Sequence, residues 1–458
     1  MTECGVESIS ENSILGSTKA LSLWLNSWKR DEIISFLLLV SLAIEHTPLP
    51  FKAQILPLTS IFALLFLPLI VRNFKLTPLF KITILFVSFV LVHSLFALLI
   101  DISVFNGGEI RILAWARQII ALTMGIAVFM ILRTTLVRVS ERFVIHSIIL
   151  GATTAIFLAM LNILWDLSGN LIAGDIVIAI RSALGYSFIS PARVSGLSQE
   201  PAHFAMYLSV IVFPSIFTAI LTSKNRAFWF IFLCACFMSL IWTFSITGFV
   251  TFTGMLFCGV LFGQRKDIFA FLISALLPVA VGIFVLFENN YAASQIGSLL
   301  SSNWSLSITT RFYSAFGPFM RSFSSYTLLG YGLGGTSMHL ADVVPDFARL
   351  DIASIHWKDM PTLGSLAGRL LAETGLIGLV LFGAIIILCF REIGLISQYS
   401  NERSEIVILK NIRLGIIAYL IGAGLFGPGS FALPYLWVWL SFVDARRQLY
   451  NSRKMGEC

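Results

Sequence analysis

Arginines, carboxylates and imidazoles gather in two polar stretches of an otherwise apolar chain, residues 166–203 and 288–363. The first ends in Arg193-Val194-Ser195-Gly196-Leu197-Ser198-Gln199-Glu200-Pro201-Ala202-His203. Glu200 and His203 stand three apart, so a first helical turn puts them on one face, and Pro201 suits that turn because its missing N–H is not needed there. A carboxylate or imidazole so placed can accept a proton from a hydroxyl. The alternative is a carboxylate that stabilises the helix dipole with Arg193 as its ion-pair partner. In the second stretch Arg311 and Arg321 precede Gly330-Tyr331-Gly332-Leu333-Gly334-Gly335. Guanidinium stays charged and its planar fork fits phosphate oxygens, so these arginines suit a lipid diphosphate, with a surface salt bridge as the alternative for either. The glycines lack a βαβ setting and read as a tight turn rather than a phosphate cradle. Arg369 and Glu373, four apart, are a further supporting pair, or simply partners along a helix. Arg117 lies within an apolar span, where an unpaired guanidinium is costly. It is expected to point into the bundle, with snorkelling to the interface as the alternative. Glu45, His46 and His93 read as packing residues, and Ser245-Ile246-Thr247-Gly248 as a short turn.

The elements that must position these groups are membrane helices. Only 12% of residues are charged against 57% hydrophobic, with a mean hydropathy of +0.89, so most of the surface faces lipid. The expected fold is an all-α integral membrane bundle of about twelve spans. The spans are Ile33 to Pro48, Ile55 to Val71, Ile82 to Ile100, Ile112 to Leu132, Val144 to Trp165, Phe204 to Thr222, Ala227 to Phe244, Phe249 to Phe262, Ile268 to Phe287, Gly375 to Phe390, Leu414 to Phe426 and Phe431 to Val443. No fixed-period repeat or low-complexity linker divides the chain, so residues 1–458 form a single polytopic domain.

The net charge of +7 does not point to nucleic acid, because most of the 31 Lys and Arg residues fall in short loops on alternate sides. Those loops include Arg72, Lys75 and Lys81, then Arg133, Arg138 and Arg142, then Arg265 and Lys266. The bias places them and both termini in the cytoplasm, and residues 166–203 and 288–363 outside. No cleaved signal peptide is expected before the first span, and Ile14 to Trp28 reads as a surface-lying amphipathic helix. The six cysteines fall in spans or cytoplasmic tails, so no external disulfide is expected. Zinc-helix, Walker and nucleophile-elbow motifs are missing, and acidic residues outside are sparse; metal-free chemistry without a cofactor is expected.

In this order the motifs resemble those of the O-antigen polymerase and ligase superfamily, the Wzy-type polysaccharide polymerases and their ligase relatives. Four segments carry the resemblance: Arg193-x-x-Gly196 with Glu200-Pro201, Ser245-Ile246-Thr247-Gly248, Arg311 leading to Gly330-x-Gly332, and Glu373-x-Gly375-x-x-Gly378. Arg321, ten residues, then Gly332 adds an Arg-x10-Gly pattern. The resemblance implies a helical glycosyltransferase fold of the C class in a bacterial inner membrane. It implies that lipid-linked oligosaccharide repeats are joined at the outer face, with undecaprenyl pyrophosphate as leaving group and inversion at the anomeric centre. Expected partners are undecaprenyl-pyrophosphate-linked oligosaccharides, the bilayer and a chain-length regulator. A diphosphate leaving group needs charge neutralisation rather than a proton donor, which Arg193, Arg311 and Arg321 would supply. The attacking hydroxyl needs a base, for which Glu200 and His356 are candidates, with His203, Arg117, Arg369 and Glu373 in support. The ligase pattern has a histidine where this chain has Gly364, and His356 is followed by Trp357, which favours a polymerase over a ligase. A lipid-polysaccharide transporter or flippase is the alternative from another class, although such proteins usually show internal repeats around a midplane site.

Overall fold

A computed structural model describes residues 29–45, 57–70, 75–104, 108–186, 193–262, 306–321, 328–344, 363–400, 402–427 and 430–454. All regular structure among them is helical, as expected of a chain whose backbone must satisfy its own polar groups in lipid. The first half comprises α1 (Arg30–Val40), α2 (Leu58–Ile70), α3 (Pro78–Val104), α4 (Gly108–Thr135), α5 (Glu141–Ser168), α6 (Leu171–Ala183), α7 (Pro201–Tyr207) and α8 (Phe213–Thr222). There follow α9 (Arg226–Trp242), α10 (Ile246–Phe262), α11 (Leu306–Met320), α12 (Leu340–Val343), α13 (Leu366–Tyr399), α14 (Arg403–Ile421) and α15 (Pro434–Lys454). Among the described residues, six helical stretches are long and apolar enough to cross a membrane: α3, α4 with the turn to Arg138, α5, α7 through α8, α13, and α14 continued to Leu425. The expected ninth span, 268–287, the surface helix at 14–28, His46 and His356 lie outside the described residues.

One of the expected connections is corrected. Residues 166–203 are not a plain connection, because α6 occupies their middle with Ala173, Gly174, Val177 and Arg181 turned inward. The tenth span starts at the expected Gly375, and a further helical segment, residues 366–374, leads into it from Ser365, whose hydroxyl accepts from the Gly368 amide at 3.0 Å. In that segment Arg369 and Glu373 are buried. Gly375 interrupts the helix at φ 64°, ψ −169°, a conformation open to glycine at little cost. Leu328 and Leu329 pass where a side chain would stand.

Large aromatic residues close the bundle. Trp437 donates to the Phe431 carbonyl at 2.8 Å and lies against Gly125 of α4, where no side chain would fit. Trp439 donates to the Val210 carbonyl at 2.9 Å. That carbonyl belongs to a π-helical stretch, Leu208–Val212, that joins α7 to α8. A π turn releases backbone groups from the regular ladder, and the indole gives one of them a partner. The outer faces are apolar, with Val92, Phe96, Leu99, Phe157 and Ile231 all more than half exposed, which suits contact with lipid rather than water.

Candidate functional site

Chain direction places the end of α9, the start of α10 and the start of α7 at one end of the bundle, where a short turn connects the first two. Thr243 and Ser245 tie this turn down: the Ser245 amide donates to the Thr243 hydroxyl at 3.2 Å, and the Gly248 amide to the Ser245 hydroxyl at 3.3 Å. Phe244 adopts a positive φ of 44°, uncommon for a residue with a side chain. Two guanidinium groups converge here. Arg193 Nε donates to the Thr243 carbonyl at 3.3 Å, and Arg311, arriving on α11, donates to the Thr247 hydroxyl. Arg321 is not part of this gathering; it donates to the Ala341 carbonyl at 3.1 Å. Ten residues of helical rise separate it from Arg311, roughly 15 Å, so the two do not share one phosphate.

The segment that carries Glu200 is organised by Arg181, which the sequence reading passed over. This buried guanidinium donates to the carbonyls of Gly196 at 3.1 Å, Ser198 at 3.1 Å and Gln199 at 3.2 Å. Its plane lies 5.0 Å from the Tyr186 ring, whose hydroxyl donates to the Leu197 carbonyl at 2.6 Å. Burial pushes the Arg181 pKa down to about 10, so the side chain keeps its charge at neutral pH. Gly196, at φ 51°, turns beneath the Phe204 ring with no room for a Cβ. Its only sequence signal is an arginine at the end of an apolar helix-length run.

Glu200 forms the entrance to α7, but its carboxylate makes no capping bond and no ion pair with Arg193 is formed, so the helix-dipole pairing expected as the alternative is not realised as a contact. The carboxylate is exposed. His203, one turn on, is buried, and its ring lies within electrostatic reach of Glu200 and Arg311. Its Nδ1 stands 2.7 Å from Oε2 of Glu45, which closes the segment after α1, though out of line for a hydrogen bond. Glu45 is therefore not a satisfied packing residue: it is 2% exposed, and both its oxygens lack a hydrogen-bond partner among the described residues. Tyr435 lies within its electrostatic reach, and the Tyr207 ring stands 5.8 Å from that of Tyr435, centroid to centroid.

A second polar cluster joins α3, α4 and the glycine-rich segment. Arg111 is buried and donates to Asp101 at 2.6 Å, to the Leu333 carbonyl at 2.7 Å and to the Tyr331 carbonyl at 3.0 Å. Gly330, Gly332 and Gly334 have φ of 75°, 75° and 72°, and the turn they make packs so tightly that a Cβ on Gly332 would meet Ala97 at 2.7 Å. His339 stacks on Tyr331 with centroids 4.0 Å apart and contacts Asp101 and Asp342, each at 3.2 Å. Arg369 approaches Glu373 at 3.4 Å and also donates to Gln118, while Glu373 accepts from Thr336 at 3.1 Å. These two side chains pair along their helix and staple it to α4 and the glycine turn. Arg117 is a correction: it is exposed. Helical spacing sends Arg111 and Ala114 inward and turns Leu113, Arg117 and Ile120 outward.

No group of three or more potential metal ligands occurs among the described residues. Neither the protein-family models nor the curated proteins with which the chain was compared give a match.

Proposed function

We propose that this protein is a metal-independent membrane glycosyltransferase that polymerises lipid-linked oligosaccharide repeats for a surface polysaccharide, with undecaprenyl pyrophosphate as the leaving group. The reading takes about twelve crossings in a bacterial inner membrane, with both termini cytoplasmic and the Thr243 to Gly248 turn facing outward. One observation carries it: Arg193 and Arg311, from distant segments, end on a single turn next to an exposed carboxylate, Glu200, and a buried imidazole, His203. Cations that are fixed in place before reaction stabilise the charge that develops on a departing diphosphate. Glu200 stands where the acceptor hydroxyl would be oriented. Arg321, roughly 15 Å along the same helix, would hold the diphosphate of the second carrier, since a polymerase must bind a donor and an acceptor that each bear one.

Arg311→Ala tests the reading. Loss of one charge-stabilising donor costs on the order of 10²–10³ in turnover, so long chains should vanish while single repeats remain on the surface at normal protein level. Unchanged chain length would remove Arg311 from the mechanism. Deletion that leaves finished polymer on its carrier would indicate a ligase, and translocation without elongation by purified protein would indicate a transporter.

A further inference from the structure

The surroundings of Glu45 hold more unsatisfied chemistry than packing requires. A carboxylate 2% exposed with neither oxygen hydrogen-bonded among the described residues is expensive to keep. Tyr435 lies within electrostatic reach of this carboxylate. Opposite them, the His203 ring turns Nδ1 toward Glu45 at 2.7 Å. Its other nitrogen, Nε2, makes no hydrogen bond among the described residues and is not one of the sealed polar atoms. An imidazole with one nitrogen against a buried carboxylate and the other free is arranged to take a proton at the free nitrogen. The alternatives are less well placed. Glu200 is exposed, and no contact fixes its carboxylate. His203 sits in the first turn of α7, whose seven residues are all buried.

Resting on the glycosyl-transfer reading, we propose that Glu45 and His203 form an acid–base dyad, in which His203 Nε2 takes the proton of the attacking sugar hydroxyl and Glu45 positions the ring through Nδ1. The acceptor oxygen forms its bond to the anomeric carbon as the bond from that carbon to the diphosphate oxygen breaks. The electron pair leaves with the diphosphate, where Arg311 and Arg193 meet the charge. The hydroxyl proton passes to Nε2 and then to water. His203 is the catalytic residue and Glu45 a positioning residue.

The test uses the full chain in lipid nanodiscs with polyprenyl-diphosphate-linked repeat units, and reads the ladder of products. His203→Ala should lower turnover by about 10²–10⁴ and leave a space that free imidazole fills, so that added imidazole restores elongation in a saturable way. Glu45→Gln should lower kcat by about tenfold or more with KM unchanged, and Glu45→Asp should recover part of it. Glu200→Gln should lose less than His203→Ala. Full elongation by His203→Ala overturns the dyad, as does an inactive His203→Ala that melts like wild type and ignores imidazole. Should that variant fail to fold, an unchanged kcat in Glu45→Gln overturns it equally. In each of these cases wild type still elongates and Arg311→Ala does not; if wild type itself makes no ladder, the glycosyl-transfer reading falls first.

Discussion

Asp444 and Glu45 are both carboxylates sealed inside the bundle beside a basic side chain, and they are treated in opposite ways. Asp444 accepts from Arg133 Nε at 2.6 Å, from Gln448 at 3.1 Å and from the Thr77 hydroxyl, while Arg133 also donates to the Lys75 carbonyl at 2.7 Å. Glu45 has an imidazole at 2.7 Å and no hydrogen bond among the described residues. Chain direction puts the first pair at the end where Arg138 meets Asp31 and Arg446 meets Glu141. It puts the second at the end where Arg193 and Arg311 converge. A saturated buried pair holds helices in register. An unsaturated one is costly to folding and is more at home where a substrate completes it.

Stability measurements should separate these two ends by the widest margin. Asp444→Ala leaves Arg133 buried without its counter-charge, and breaking such a pair costs about 3–5 kcal/mol. The variant should melt far below wild type in detergent or appear only as aggregate. Glu45→Gln should be neutral or slightly stabilising, because it removes a buried charge that no hydrogen bond among the described residues offsets. Equal losses at both positions would mean that the two carboxylates play the same structural part.

A smaller difference separates two arginines of α4. Arg111 makes three bonds inside the bundle, whereas Arg117 is exposed. Arg111→Met should cost about 3 kcal/mol by leaving Asp101 with His339 alone and stranding two carbonyls, and hydrogen exchange in residues 331–344 should speed up. Arg117→Met should stay within about 0.5 kcal/mol. Gly332→Ala tests the same glycine turn from its other side. Its φ of 75° and the approach of Ala97 to 2.7 Å should cost roughly 1–2 kcal/mol in backbone strain alone, read as a lower melting temperature with the ends of α3 and α4 losing protection.

The pattern of apolar runs made the helical membrane class legible, because run length is what a bilayer selects. It also marked Arg193, Glu200 and Arg311 as chemistry-bearing residues in the stretches between those runs. What it did not convey was direction. Arg111 and Arg117 differ by six positions, yet only their phase on α4 decides which enters the bundle. Spacing was informative at Arg369 and Glu373, which pair along their helix as a four-residue separation allows. The partnership of Glu45 with His203 joins the end of α1 to the start of α7. Such pairs leave no local signature, since each residue taken alone is one charge at the edge of an apolar run.

The finest contrast lies between His339 and the saturated end, where pairing does not depend on a histidine. Burial lowers the His339 pKa, but the hydrogen bonds and charges of Asp101 and Asp342 outweigh it, and the net shift is upward from 6.5. A histidine raised in the folded state contributes stability below its ordinary pKa and loses it as pH rises through the folded value. Arg111 faces the same Asp101 from α4, and Tyr331 stacks on the ring while its hydroxyl donates to Asp342 at 3.2 Å, so the carboxylates keep other partners and the change should be local. Amide protection factors in residues 331–344 should therefore fall as pH is raised above 6.5, with the Arg133 and Asp444 contacts unmoved. His339→Gln should flatten the profile, because glutamine keeps hydrogen-bonding capacity without a titratable charge. A profile that stays steep in that variant would assign the titration to another group and break the link between this imidazole and the glycine turn.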